Sequence, residues 1–263
     1  EDDNFQRIKI MRMFPSSIYI VWYRNVLKYF RMKSRIIGSL GMPFFFLVII
    51  GFGLDSSVSI PGMTTSYVDF IAPGIIAMSI LFTSMFSGVT LVIDKQIGFL
   101  KETLVAPVSR LELMLGQALG GATTAMIQGL LVLVISLFIG LDVPSFGGIV
   151  ISLVFMFLIG LSFTSVGIAF ASRMEDTHGF QLIVNFVLFP VFFLSGALFP
   201  LEQIPDWLSV LTYIDPLTYG VEGIRYGLLG ASQIDPWICF GALGVFLTIV
   251  LFLGSFLFHR IKL

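Results

Sequence analysis

The chain has 263 residues, 57% of them hydrophobic and 12% charged, where an average soluble domain carries about 25% charged residues. Most side chains must therefore face lipid or another helix, which excludes a soluble globular enzyme. A net charge of -1 argues against a nucleic-acid partner, since phosphate binding needs an accumulated basic field.

The single cysteine, Cys239, lies in the last apolar run as a packed or lipid-facing residue. One cysteine can form neither a disulfide framework nor a cysteine metal cluster within the chain. No metal site is expected, and His178 and His259, far apart in sequence at the ends of apolar runs, read as solvated interfacial residues.

Residues 1–35 form a cytoplasmic tail and a basic amphipathic helix. From Ile18 to Arg35, Tyr19, Trp22, Val26, Tyr29 and Phe30 recur at helical spacing with Arg24, Lys28, Arg31, Lys33 and Arg35 between them, the pattern of a helix lying in the membrane interface. A charged stretch before the first apolar run is not the layout of a cleaved secretory signal. The chain opens at Glu1 rather than Met, so its first residue is read as a trimmed end or a boundary.

Residues 36–263 form one transmembrane domain with six expected spans, at 36–54, 70–93, 113–141, 148–171, 180–199 and 237–258. Each is long enough for a hydrocarbon core of about 30 Å. Basic residues fall before the first span, after the second (Lys95, Lys101, Arg110), after the fourth (Arg173) and in the tail (Arg260, Lys262). With an even number of spans all these segments share one side, so both termini are expected in the cytoplasm. The opposite side carries Asp55, Asp69, Asp142, Glu202, Asp206, Asp215, Glu222 and Asp235, with Arg225 as its basic residue. The fold class is thus an all-α integral membrane protein.

Between the second and third spans, Ile97, Leu100, Leu104 and Val108 line one face of a short helix that leaves Lys95 and Glu102 to solvent. Pro107 should stop this helix, and Ser109 with Glu112 reads as a capping box opening the third span. An apolar face on such a loop is buried by a partner or floats on lipid headgroups. Between the fifth and sixth spans, Leu201, Ile204, Leu208 and Leu211 recur beside Trp207, which predicts short helices dipping into the outer leaflet. Asp206, Asp215, Glu222 and Arg225 are expected on a solvated outer surface, with Arg225 and Glu222 paired one turn apart.

Inside the spans, Gln117, Thr124 and Gln128 share a helical face and Asn185 sits in the fifth span. Polar groups in hydrocarbon need partners, so this candidate substrate path competes with simple interhelical hydrogen bonding. Small residues, Gly116, Gly120 and Gly121 in the third span and Gly160, Thr164 and Gly167 in the fourth, predict close helix packing. The drawn spans hold no ionisable residue, which disfavours a carrier driven by an ion gradient.

Two stretches carry a family resemblance: Gly98-Phe99-Leu100-Lys101-Glu102 with Leu104 to Arg110, and Phe193 to Pro200 followed by Ile204-Pro205, Trp207-Leu208, Asp215 to Tyr219 and Arg225. With the six spans and the arm, they resemble permease subunits of type-2 ATP-binding-cassette (ABC) exporters, the group of daunorubicin-resistance and polysaccharide-export permeases. The resemblance implies a coupling helix around Ile97, Gly98, Phe99, Leu100, Lys101, Glu102, Leu104, Pro107 and Arg110, seated in a separate ATPase subunit. It also implies outer re-entrant helices, a second permease chain forming a homodimer, and export of a drug, lipid or lipid-linked glycan across the plasma membrane. The chain has no phosphate-cradling Gly-x-x-x-x-Gly-Lys-Ser/Thr sequence, so no cofactor is expected on it, and ATP and Mg would belong to the partner ATPase. An integral membrane lipid-modifying enzyme, using the outer acidic residues, is the alternative from another class.

Overall fold

The computed structural model describes residues 2–53, 66–99, 108–143, 145–203 and 205–260, with side chains from Ser17 onward except those of Arg35, Phe52 and Gln203. The described residues are almost entirely helical. The arm is α1 (Asp2–Arg31), followed by α2 (Lys33–Phe45), which continues as a π-helical stretch, Phe46–Phe52. Met32 leaves helical geometry at φ -94°, ψ 65°, and the axes of Ser17–Arg31 and Ile36–Gly51 diverge by 71°. Pro43 lies within α2; it has no backbone N–H to give, and the wider turns begin three residues later.

Five further helices are each long and apolar enough to cross a bilayer: α3 (Tyr67–Gln96), α4 (Arg110–Ile139), α5 (Phe146–Arg173), α6 (Thr177–Leu194) and, last in the chain, Pro236–His259. A sixth crossing is made if the bent pair of Ser17–Arg31 and Ile36–Gly51 counts as one span. The break at Met32 thus falls before the first expected span, 36–54, whose described residues run from α2 into the π-helical stretch. The fifth, expected to reach Phe199, stops at Leu194, because the chain turns through Gly196 at φ +69°.

Between α6 and the last helix come a 3-10 turn (Leu201–Gln203), α7 (Asp206–Ile214) and α8 (Pro216–Leu229); Pro236–His259 is α9. Asp215 caps α8 with a 3.0 Å bond from Leu217 N–H, Pro216 fills the first helical position, and Gly230 ends the helix in the left-handed region. At 14 residues, α8 is about 21 Å long, too short to cross. It enters the bundle and packs on α3, α5 and α9.

Helix α3 is the centre of the core. Phe70, Ile71, Ile75, Ile76, Ile80, Leu81 and Met85 have no exposed surface, and α2, α4, α5, α6 and α8 surround it. Small residues set the spacing: a Cβ on Gly88 would lie 2.6 Å from the Gly167 carbonyl oxygen, and one on Gly148 would lie 2.0 Å from that of Gly227. Backbones this close leave more dispersion contact between helices in a solvent where apolar transfer no longer drives association.

Side-to-side contacts sort the helix ends into two sets. Lys95 donates to the carbonyls of Ala171, Ser172 and Met174 at 2.8, 2.8 and 3.2 Å, and Arg110 donates to the His259 carbonyl. Lys95, Arg110, Arg173 and Arg260 thus share a basic end. At the other, acidic end Tyr67 donates to the Leu198 carbonyl at 3.0 Å and Asp142 N–H to Asp69 at 3.4 Å. The helices extend past the drawn spans to take in Asp69, Asp94, Lys95 and Glu112. Ser109 caps α4 as expected, accepting from Glu112 N–H and donating to its carboxylate at 2.8 Å. At the same end Asp176 caps α6, and the Gly179 N–H, 2.6 Å away, holds its carboxyl below the usual carboxylate range.

Candidate functional site

At the basic end, the segments flanking residues 100–107 are held by three different parts of the bundle. Asp94, on the last turn of α3 and almost fully buried, accepts from Arg24 Nη2 at 2.9 and 2.8 Å, with Lys28 Nζ at 3.8 Å. The Arg24 guanidinium also lies 4.1 Å above the Phe99 ring, a favourable cation–π placement. Gln96 bonds the Glu175 carbonyl and Thr177 at the α5–α6 turn, at 2.9 and 3.2 Å. On the far flank Arg110 reaches the end of α9. A displacement of the segment would therefore pull on the arm, on α3 with the α5–α6 turn, and on α4 with α9.

Of the residues assigned to the coupling segment, Leu100, Lys101, Glu102, Leu104 and Pro107 lie outside the described residues. Ile97 and Phe99 are exposed, Gly98 takes a φ of +80° that suits glycine, and Arg110 makes the α9 contact.

The polar face of α4 meets the arm. Asn25 donates to Gln117 at 2.6 Å, Tyr29 to Gln128 at 2.7 Å and Trp22 to Thr123 at 2.9 Å. Gly116 and Gly120 admit this approach, since a Cβ on either would stand 2.7 Å from the Cβ of Val21 or Asn25. Contacts advance together from Ile18–Gly116 to Tyr29–Gln128, so α1 and α4 run side by side in the same direction. Thr124 bonds its own helix at the Gly121 carbonyl, 2.9 Å. Asn185 is half-buried on α6, one turn from Gln181 and Phe189.

A cavity of 460 Å³ opens between α2, α3 and α6. Phe46, Phe82, Phe86, Phe189, Phe192 and Phe193 dominate its wall, with Tyr29, Ser39, Ser79, Thr83 and Gln181 as polar points. Phe82 and Phe189 meet edge to face at 5.6 Å, as do Phe46 and Phe192 at 6.2 Å. The sequence reading assigned none of these residues to a site: aromatics at helical spacing in an apolar run carry no signal that separates a chamber wall from a packed core.

At the acidic end, the expectation of a solvated surface is corrected for three residues of four. Asp206 is exposed, but Glu222 and Arg225 have no accessible surface and Asp215 has 6%. Arg225 and Glu222 do pair across one turn. Arg225 also donates to the Gly196 carbonyl at 2.9 Å and lies 4.2 Å over the Phe70 ring, while Glu222 accepts from Gln233 N–H at 2.6 Å and Gln233 from Leu201 N–H at 2.8 Å. Re-entry of α8 buries the pair, and burial of ions demands full pairing. The arrangement clamps α3, α8 and both adjoining turns and withdraws Asp215 and Glu222 from any outer acid-base site, leaving Glu202, Asp206 and Asp235 exposed at this end.

A bundle of bilayer-length helices, centred on an α3 buried over most of its length and opened on one side by an aromatic chamber, defines a multi-pass membrane transport protein. Residues 16–229 match the family described as ABC-2 type transporter, and the chain belongs to that family of membrane transport permeases. It is 32% identical over 189 residues to the inner membrane transport permease YadH of Escherichia coli strain K12, covering 70% of this chain and 71% of the relative. It is 29% identical over 216 residues to ycf38 of Cyanophora paradoxa, described as a transport permease, covering 81% and 74%. Nodulation protein J of Rhizobium leguminosarum bv. trifolii is 28% identical over 243 residues, 91% of this chain and 92% of the relative.

Proposed function

We propose that this chain is the permease half of an ATP-driven exporter and moves an amphipathic compound out of the cytoplasm by alternating access. A separate ATPase subunit engages the 97–110 segment from the basic end, which is the cytoplasmic side and carries both termini in the plasma membrane. The observation that supports this most is the joining of that segment's flanks to α1, α3, α4 and α9. Closure of the ATPases, pushing on the segment, would move the walls of the aromatic chamber together with the arm.

The occupant of the chamber is an apolar or amphipathic molecule held by aromatic surface. Gln117, Thr124, Gln128 and Asn185 form the polar side of its path. A second copy of the chain closes the chamber laterally, where Phe186 and Leu182 of α6 stand 81% and 73% exposed.

The test is to purify the chain from solubilised native membranes and to assay for a co-purifying ATPase, with and without Glu102→Arg. Recovery of ATPase with the native chain and its loss with the substitution is the expected result; no ATPase with the native chain would overturn the proposal.

A further inference from the structure

Helix α3 presents two stripes of different character side by side over the same two turns. Phe82, Phe86 and Val89 face the aromatic chamber, and Thr83, Ser87 and Thr90, one position along, face a second cavity of 40 Å³ between α1, α3 and α4. The helical repeat alone produces this, because positions one residue apart point about 100° apart. Asn25, Lys28, Tyr29, Gln117 and Thr124 complete the polar lining, and no carboxylate is among the lining residues. Tyr29 and Thr83 line both cavities, so the small one is a polar annexe to the large.

Several polar groups of the annexe are not used up by the protein. No bond from the Thr83 or Thr90 hydroxyl occurs among the described residues. Lys28 reaches Asp94 only at 3.8 Å, where Arg24 already spans both carboxylate oxygens. A space of 40 Å³ exceeds what one water needs, about 10–15 Å³ by the same measure, yet has no room for a bulky head.

We infer that the chamber takes an amphiphile with a compact anionic head, a carboxylate or a single phosphate, seated in the annexe against Lys28 and the Thr83 and Thr90 hydroxyls with its tail among the phenylalanines. This rests on the chamber being the transport site. The head would lie toward the basic end, and the ammonium of Lys28 with the hydroxyls supplies donors that strengthen with the charge of the acceptor. A neutral sugar head would leave Lys28 with only its 3.8 Å approach to Asp94, and a cationic head would meet it directly.

The experiment uses the permease with its co-purifying ATPase in lipid nanodiscs and three radiolabelled probes with the same tail: dodecyl phosphate, dodecyl glucoside and dodecyltrimethylammonium. Dodecyl phosphate is expected to bind at least about tenfold more tightly than the others, the size of one charge-assisted hydrogen bond. Lys28→Gln and Thr90→Val are expected to erase most of that preference, Lys28→Arg to keep it, and Phe189→Ala to weaken all three probes alike. Equal binding of the three, still lost with Phe189→Ala, would overturn the anionic head and leave the chamber standing. No binding of any probe, or indifference to Phe189→Ala, would overturn both.

Discussion

Arg24 of the arm places one guanidinium nitrogen between the two carboxylate oxygens of Asp94, at 2.9 and 2.8 Å, five residues before the same guanidinium's stacking partner, Phe99. The pair therefore fixes the arm to the entry of the 97–110 segment. Asp94 is almost wholly enclosed while Arg24 keeps a third of its side chain in solvent, so parting the pair would strand a buried carboxylate with Lys28 beside it at 3.8 Å.

Replacing Asp94 by Asn keeps the size of the side chain but removes the charge that holds Arg24 and Lys28 and turns one of the two oxygens that accept from Arg24 into a donor. Transport per ATP hydrolysed in reconstituted vesicles is expected to fall about tenfold, as for loss of one charged hydrogen bond, while the permease still elutes with its ATPase. Unchanged coupling would show that the arm takes no part in transmission.

The Arg225–Glu222 pair predicts a non-additive cycle. Arg225→Met strands a buried carboxylate and should lower stability by about 3–5 kcal/mol, whereas Arg225→Met with Glu222→Gln should recover a large part of that loss. Thermal unfolding of the detergent-solubilised protein reads both; additive single effects would mean that the pair is not electrostatically coupled.

Gly88→Val tests the α3–α5 approach. Its Cβ would meet the Gly167 backbone, so overpacking is expected to cost about 1–3 kcal/mol. Gly244→Ala, where a Cβ meets nothing within 4 Å, is the control and should unfold at the native temperature or slightly above.

Orientation is testable because Cys239 is buried and replaceable by Ala. In that background Asp206→Cys and His178→Cys occupy exposed positions at opposite ends. A membrane-impermeant maleimide added to intact cells should label the first at once and the second only after permeabilisation; the reverse pattern would invert the topology.

The spans, their order and the segregation of charge were legible from sequence because each depends on local hydropathy and on counts of Lys and Arg between apolar runs. The Ser109–Glu112 cap was legible for a similar reason, being a contact within one turn. What local pattern cannot carry is the partner of a face. Tyr29, Asn25 and Trp22 read as the side of an interfacial helix, yet their hydrogen-bond partners lie on α4, about a hundred residues later. Glu222 and Arg225 read as solvated because they fall in the outer segment between the fifth and sixth spans, and only the packing of α8 between α3, α5 and α9 buries them.

The central place of α3 constrains how the chain can be made. It is the first of the five long spans to leave the ribosome, yet α4, α5, α6 and α8, which enclose it, all follow it in sequence. Until they arrive, Thr83, Ser87 and Thr90 face lipid or the insertion machinery, and the groove that accepts Gly167 stands open. The bundle closes around the first of its five long spans, so a chain truncated before α4 would present an inserted but unpacked helix to the membrane's quality-control proteases.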